Sequence, residues 1–182
     1  MPDCEVYDQE YLDTLTEAYV KPLMPSGGIL LSSWQTAEDI AADDLVCFCA
    51  FNNLLNKPVT PSDKTVFEGA EYVDHEGPAA EVETAIQQYF DVSTQYLRTS
   101  KLYNFYDEDA GYQYQDAYML PHGFGGGGSV KALAAEQNAD ELIITVGVFG
   151  PDDLGDPAMT GTLTVQLEEG GFQYICYDLP GR

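Results

Sequence analysis

"SVKALAAEQNADELIITVGVF", residues 129–149, decides the fold. Its second half is apolar on both faces and reads as a central strand. Its first half has two readings. A helix capped by Ser129 would gather Val130, Leu133, Ala134 and Gln137 on one side. A strand would turn Val130, Ala132 and Ala134 inward and make "EQNADE" a hairpin turn. The strand reading is adopted, because the chain beyond it is plainly antiparallel. In "GTLTVQLEEGGFQYICYDL", 161–179, Leu163, Val165 and Leu167 alternate with Thr162, Thr164 and Gln166. "EEGG" then turns the chain, and Phe172, Tyr174 and Cys176 continue the alternation.

The strand reading bears on the segment in front of it. In "LPHGFGGGGSVKAL", 120–133, Gly123, Gly125 and Gly128 satisfy G-x-G-x-x-G. A phosphate-cradling loop of that kind follows a parallel strand and opens a helix. "QDAYMLPHGF" is a poor parallel strand, Lys131 is the one cation within reach, and no G-K-[ST] follows. The glycines are read as a strand connection without a nucleotide.

Upstream, "LYNFYDEDAGYQYQDA" reads as a hairpin turning at Asp107–Gly111. Before residue 100 the period is helical. "DQEYLDTLTEAYV", 8–20, is a helix ended by Pro22 and "PSGG". "ILLSS" is a short strand or extended lead-in, "TAEDI" one helical turn, and Asp43 the expected N-cap of a buried helix through Leu55. Residues 56–77 read as a long loop with a short strand at 65–67. "GPAAEVETAIQQYFD" starts a helix with Pro78 at its first position, and Ser93 caps a short helix in "VSTQYLRTS". The expectation is α+β: N-terminal helices packed on one face of a C-terminal antiparallel β-meander of about five to six strands. One domain spans 1–182, with 1–100 mainly helical and 101–179 forming the sheet.

A chain of 182 residues buries roughly 70% of its unfolded surface, enough for a core without staples. Seven Lys+Arg against 31 Asp+Glu give a net charge of −24, which disfavours nucleic acid and anionic membranes. No window approaches the roughly 18 apolar residues of a membrane span. The N-terminal "MPDCEVYDQEYLDTL" shows no basic or apolar signal region, so a cytoplasmic location and export by a signal outside this sequence both stay open. Of four cysteines, Cys4, Cys47, Cys49 and Cys176, the middle two sit about 200° apart on a helix and cannot share a bond or metal there. They are read as buried free thiols.

No catalytic, cofactor or metal residue is assigned. "DEDAG", 107–111, fails the calcium-loop pattern because Gly111 falls fifth and Tyr118 twelfth. The candidate ligand or partner surface is aromatic: Tyr103, Tyr106, Tyr112, Tyr114 and Tyr118, with His122 beside the glycines. An exposed tyrosine face can bind a sugar ring or a protein partner. Cross-strand packing is the plainer use of the same residues.

The run "GPAAEVETAIQQYFDVSTQYLRTSKLYNFYDEDAGYQYQ", then "LPHGFGGGGSVKAL", "ADELIITVGVF" and "MTGTLTVQLEEGGFQYICYDL", resembles the C-terminal half of extracytoplasmic proteins and lipoproteins of Gram-positive, clostridial-type gut bacteria. The resemblance covers about residues 77–179. It implies export and a β conformation for 130–136, and no catalytic residue. The expected function is a non-catalytic extracytoplasmic binding or interaction module with a protein or glycan partner. The alternatives are a small enzyme with a carboxylate site in an NTF2-like or cystatin-like cleft, or an inhibitor of secreted hydrolases.

Overall fold

The computed structural model describes residues 8–26, 28–55, 64–67, 70–73, 77–108, 111–114, 128–151 and 155–180, with the backbone alone for 64–67, 70–73 and 104–107. In chain order the elements are α1 (Gln9–Leu15), α2 (Ala42–Phe51), β1 (Lys64–Phe67), β2 (Ala70–Val73), β3 (Gly77–Pro78), α3 (Ala79–Gln87) and α4 (Thr94–Leu97). Then come β4 (Tyr103–Asp107), β5 (Gly111–Tyr114), β6 (Ser129–Asn138), β7 (Glu141–Phe149), β8 (Met159–Glu168) and β9 (Gly171–Asp178).

Ser129 opens a strand, as the antiparallel reading requires. β6, β7, β8 and β9 form a four-stranded antiparallel meander in that order. The 103–114 hairpin builds a separate three-stranded sheet, β3-β5-β4; in the segment read as a long loop with a short strand at 65–67, β1 forms at that strand and pairs with β2, which the loop reading did not foresee. The class is α+β, with helical segments over the inner face of the meander.

Two bulges change which side chains face inward. Register slips between Ala132 and Ala134, so Leu133 is the extra residue in β6. Val130 and Ala132 are buried as expected, but Ala135 takes the place expected for Ala134, which is exposed. A matching slip at Ile175 in β9 buries both Tyr174 and Tyr177 and leaves Cys176 only partly buried at the margin of the core. Tyr177 fits because position 161 on β8 is glycine, where a Cβ would land on the phenol ring's hydroxyl end.

The inner face is closed by an aromatic cluster. Phe48 of α2 meets Phe90 edge-on at 5.1 Å and Tyr174 at 6.2 Å, and Trp34 packs on Phe90 at 6.2 Å. Both edges of the meander receive hydrogen bonds from neighbouring segments, which occupies part of each edge ladder. On β9, Trp34 and Tyr177 exchange two backbone bonds of 2.9 Å, and Tyr174 N donates to Tyr89 O at 2.8 Å. On β6, the amide of Ala132 donates to Thr16 Oγ1 at 2.9 Å.

Local signals held unevenly. Asp8 caps α1, but the chain runs on through a π turn (Thr16–Val20) and a 3₁₀ turn (Lys21–Leu23), so Pro22 does not end it. Proline costs nothing in the first turn of a new helical segment, where its missing N–H has no partner to lose. Tyr11 and Ala18 are exposed, and Leu12, Leu15 and Val20 are buried. Residues 29–31 are turns, not strand. Ala37–Asp39 is the expected single turn, with a capping box between Thr36 and Asp39. Ala41 rather than Asp43 occupies the N-cap of α2, and Pro78 is the N-cap of α3 rather than its first residue. Ser93 caps α4 as expected, its Oγ accepting from Tyr96 N at 3.2 Å.

Candidate binding surface at the tyrosine hairpin

Asp43 is free of capping because it holds the approach to the hairpin. Its Oδ1 accepts from Ser100 Oγ at 2.7 Å and from Lys101 N at 2.9 Å. At the other end of α4, Glu38 Oε1 accepts from Ser93 Oγ at 2.6 Å, and Tyr96 donates its hydroxyl to Ile40 O at 2.7 Å. The segment 93–101 is thus clamped along its length to residues 38–43 before it enters β4.

The β4–β5 ladder contains one irregularity, and it arranges the tyrosines. Tyr103 pairs with Tyr114, Phe105 with Gln113 and Tyr106 with Tyr112, so Asn104 is the extra residue. Without that bulge Tyr103 and Tyr106, three positions apart, could not both oppose Tyr112 and Tyr114, which are two apart. The chain turns back through Gly111 at φ +73°, a conformation that glycine adopts without strain.

Three of the candidate tyrosines have distinct situations. Tyr114 is buried, 2% exposed, and donates its hydroxyl to Glu83 Oε1 at 3.2 Å. Burial, then the nearby Glu83 carboxylate, pushes its phenol well above the usual range. Tyr103 is half-buried and stacks on Tyr112 at 5.1 Å with 22° between the rings. Tyr112 is 52% exposed. Only the backbone of Tyr106 is described, and Tyr118, His122 and residues 123–127 lie outside the described residues.

Sequence reading missed two members. Glu83 sits on α3 beside the apolar stripe of Val82 and Ile86, and it is 4% exposed. It binds Arg98 bidentately: Nε to Oε1 at 2.8 Å and Nη2 to Oε2 at 3.2 Å. The Arg98 side chain is 46% exposed, and its guanidinium lies 5.3 Å from the Tyr103 ring centre. The hydrogen bond and charge of Glu83 raise the Arg98 pKa, so the guanidinium stays charged. A carboxylate beside a helix's buried stripe asks for a cation, and that was the available signal.

The result is a rigid platform: a guanidinium fixed from behind by a buried carboxylate, and two stacked phenol rings, one half-exposed. It supplies hydrogen-bond donors and a ring surface. Glu83 has both oxygens engaged, so it is an anchor rather than a proton-transfer group.

Elsewhere, Cys47 and Cys49 are buried thiols outside any disulfide, pushed up to about 12, chiefly by burial. Cys176 is free and partly exposed, and Cys4 lies outside the described residues. A groove of about 450 Å³ runs between the end of α2 and α3, floored by Leu54, Leu55 and Ala80. Among the described residues its lining carries one carboxylate, Glu81. Among the described residues no cluster of three His, Cys, Asp or Glu is placed to hold a metal, and no helix is long and apolar enough to cross a membrane.

Residues 7–179 match the model of a family described as a family of unknown function (DUF6070). The match spans nearly the whole chain, and the protein belongs to that family. Neither the curated proteins nor the solved structures contain a match.

Proposed function

We propose that this protein is a non-catalytic extracytoplasmic binding module that engages its ligand or partner through the tyrosine hairpin. One observation carries the reading. Arg98, Tyr103 and Tyr112 are held in a fixed array, anchored by the Glu83 ion pair and by the Asp43 and Glu38 tethers, while Arg98 and Tyr112 stay about half-exposed. A pre-ordered aromatic and guanidinium surface binds at low entropic cost. The extracytoplasmic placement is supported by the resemblance of residues 77–179 to exported Gram-positive proteins. Among the described residues, Trp34, Phe48, Phe90 and Tyr174 pack between helices and sheet, all under 3% exposed, which supports the binding reading over a cleft at that place.

The test is retention. Wild-type protein immobilised and exposed to a bacterial wall-associated fraction retains material that the Tyr112→Ala variant does not. Equal retention by both proteins removes the hairpin as the binding surface.

A further inference from the structure

We propose that the outer face of the meander, the side turned away from the helical segments, is where a second copy of this chain docks. This surface is separate from the tyrosine hairpin, and the inference does not rest on the hairpin being a binding site.

The ladder defines the face. Residues opposite one another on paired strands point to the same side of a sheet. Leu142, Ile144, Val146, Leu163 and Val165 point into the core. Ile143, Thr145 and Gly147 on β7, with Thr162 and Thr164 on β8, therefore point outward. These five central positions carry no charge, in a chain of net charge −24. The bulges add apolar bulk at either edge, because their extra residues Leu133 and Ile175 are both 39% exposed. Gly147 leaves room for Leu133 to lie across the sheet: a Cβ there would stand 2.9 Å from Leu133 Cδ1.

The size suits an interface. Four strands about 4.8 Å apart and about eight residues long give a flat footprint of roughly 500 Å², and the accessible area of a pleated surface is larger. A standard interface buries about 800 Å² per partner, so it takes the whole face rather than a patch of it. Two sheets pack in this way, face to face, at a spacing of about 10 Å.

Charge selects the occupant. Lys131 lies on the β6 edge of the face, opposite Gly147. Asp178 lies on the β9 edge, opposite Thr162, which is itself opposite Thr145. Both charges are exposed and sit toward the same end, about 7 Å apart along the strand direction. A two-fold axis parallel to the strands lays β6 of one copy over β9 of the other. It brings Lys131 to Asp178 twice, within the reach of a lysine stem. The two-fold across the strands is disfavoured: where it sets Lys131 on Glu136, it also sets Asp178 on its own copy. The face is self-complementary in one arrangement, as a symmetric contact requires. Elsewhere two acidic copies repel, and a cationic partner of another kind finds its counter-charge outside this uncharged centre. Burial of Leu133, Ile143 and Ile175 supplies the attraction, and the exposed ion pair sets the register.

The experiment is sedimentation equilibrium of the whole chain at about 0.15 M salt, where repulsion between exposed charges is screened beyond about 8 Å. The wild type dimerises as its concentration rises to roughly 100 μM. Lys131→Glu and Asp178→Lys each raise the dimer dissociation constant roughly tenfold or more, and the double variant returns it to within about threefold of wild type. Leu133→Asp, which places a carboxylate on the face of both copies, abolishes the dimer. A wild type that stays monomeric overturns the proposal; if it then retains a foreign protein that Leu133→Asp releases, the face belongs to that protein. A dimer that none of these variants weakens, or that the double variant fails to restore, overturns it as well.

Discussion

Glu83 and Arg98 meet across 2.8 Å, the carboxylate almost fully buried on α3 and the guanidinium half in solvent beyond α4. The carboxylate also accepts from the buried hydroxyl of Tyr114. One residue therefore ties a helix, the segment after α4 and the central strand of the small sheet. Glu83→Gln keeps the shape but removes the charge facing Arg98. The exposed half of Arg98 is screened by water, so the expected loss is about 1–2 kcal/mol rather than the larger cost of breaking a fully buried pair. Urea denaturation measures it. A loss below about 0.3 kcal/mol would show that the pair does not organise the platform.

Tyr177 presents the opposite case. Its side chain is fully buried, and its hydroxyl has no hydrogen-bond partner among the described residues. Tyr177→Phe should therefore be neutral or stabilising, by up to about 1 kcal/mol. Gly161→Ala should cost about 1–3 kcal/mol, because the new methyl overlaps the Tyr177 ring. Thermal melts of the two single variants read this directly. A marked loss in Tyr177→Phe would mean the hydroxyl has a partner.

Ala139 sits in the two-residue turn between β6 and β7 at φ 54°, where a Cβ is crowded. Ala139→Gly should stabilise by about 0.5–1 kcal/mol, despite glycine's looser unfolded chain. A lower denaturation midpoint for the glycine variant would contradict the turn geometry.

Alkaline pH should unfold the protein through groups buried in their neutral forms. Cys47 and Cys49 rise from 9.0 to about 12, and Tyr177 from 10.0 to about 12, because burial disfavours the anion, with the charges of Asp44 and Asp43 adding to it at Cys47. Tyr114 and Tyr174 move the same way. For raised acids, the stabilising contribution is complete below the unfolded value and is lost as pH climbs toward the folded one. The urea midpoint should be insensitive to these groups below pH 9 and fall between 9 and 12. Native protein should expose one fast-reacting thiol among Cys47, Cys49 and Cys176, namely Cys176. Fast reaction of all three at pH 8 would contradict the packing.

The meander was legible because Leu163 and Val165 alternate with polar residues, because the run 142–148 is apolar on both faces, and because two turn signals separate the strands. The bulges at Leu133, Ile175 and Asn104 were not. Each inserts one ordinary residue, and nothing in a leucine, an isoleucine or an asparagine announces that the ladder will skip it. The consequence was a misplaced Ala134 and Cys176, and four hairpin tyrosines whose pairing could not be foreseen. The site was legible by half. A cluster of tyrosines stands out in a sequence. The Glu83–Arg98 pair joins residues 15 positions apart through the packing of α3 against the hairpin, which no local pattern encodes. Asp43 was legible as a capping residue, but tertiary partners at Ser100 and Lys101 outbid the helix end.

The most direct test is the ratio of dissociation constants of Tyr112→Ala and wild type for the material that the wild type retains, measured on proteins of equal folded stability. A ratio of about ten or more places binding on the hairpin. A ratio of one would contradict it.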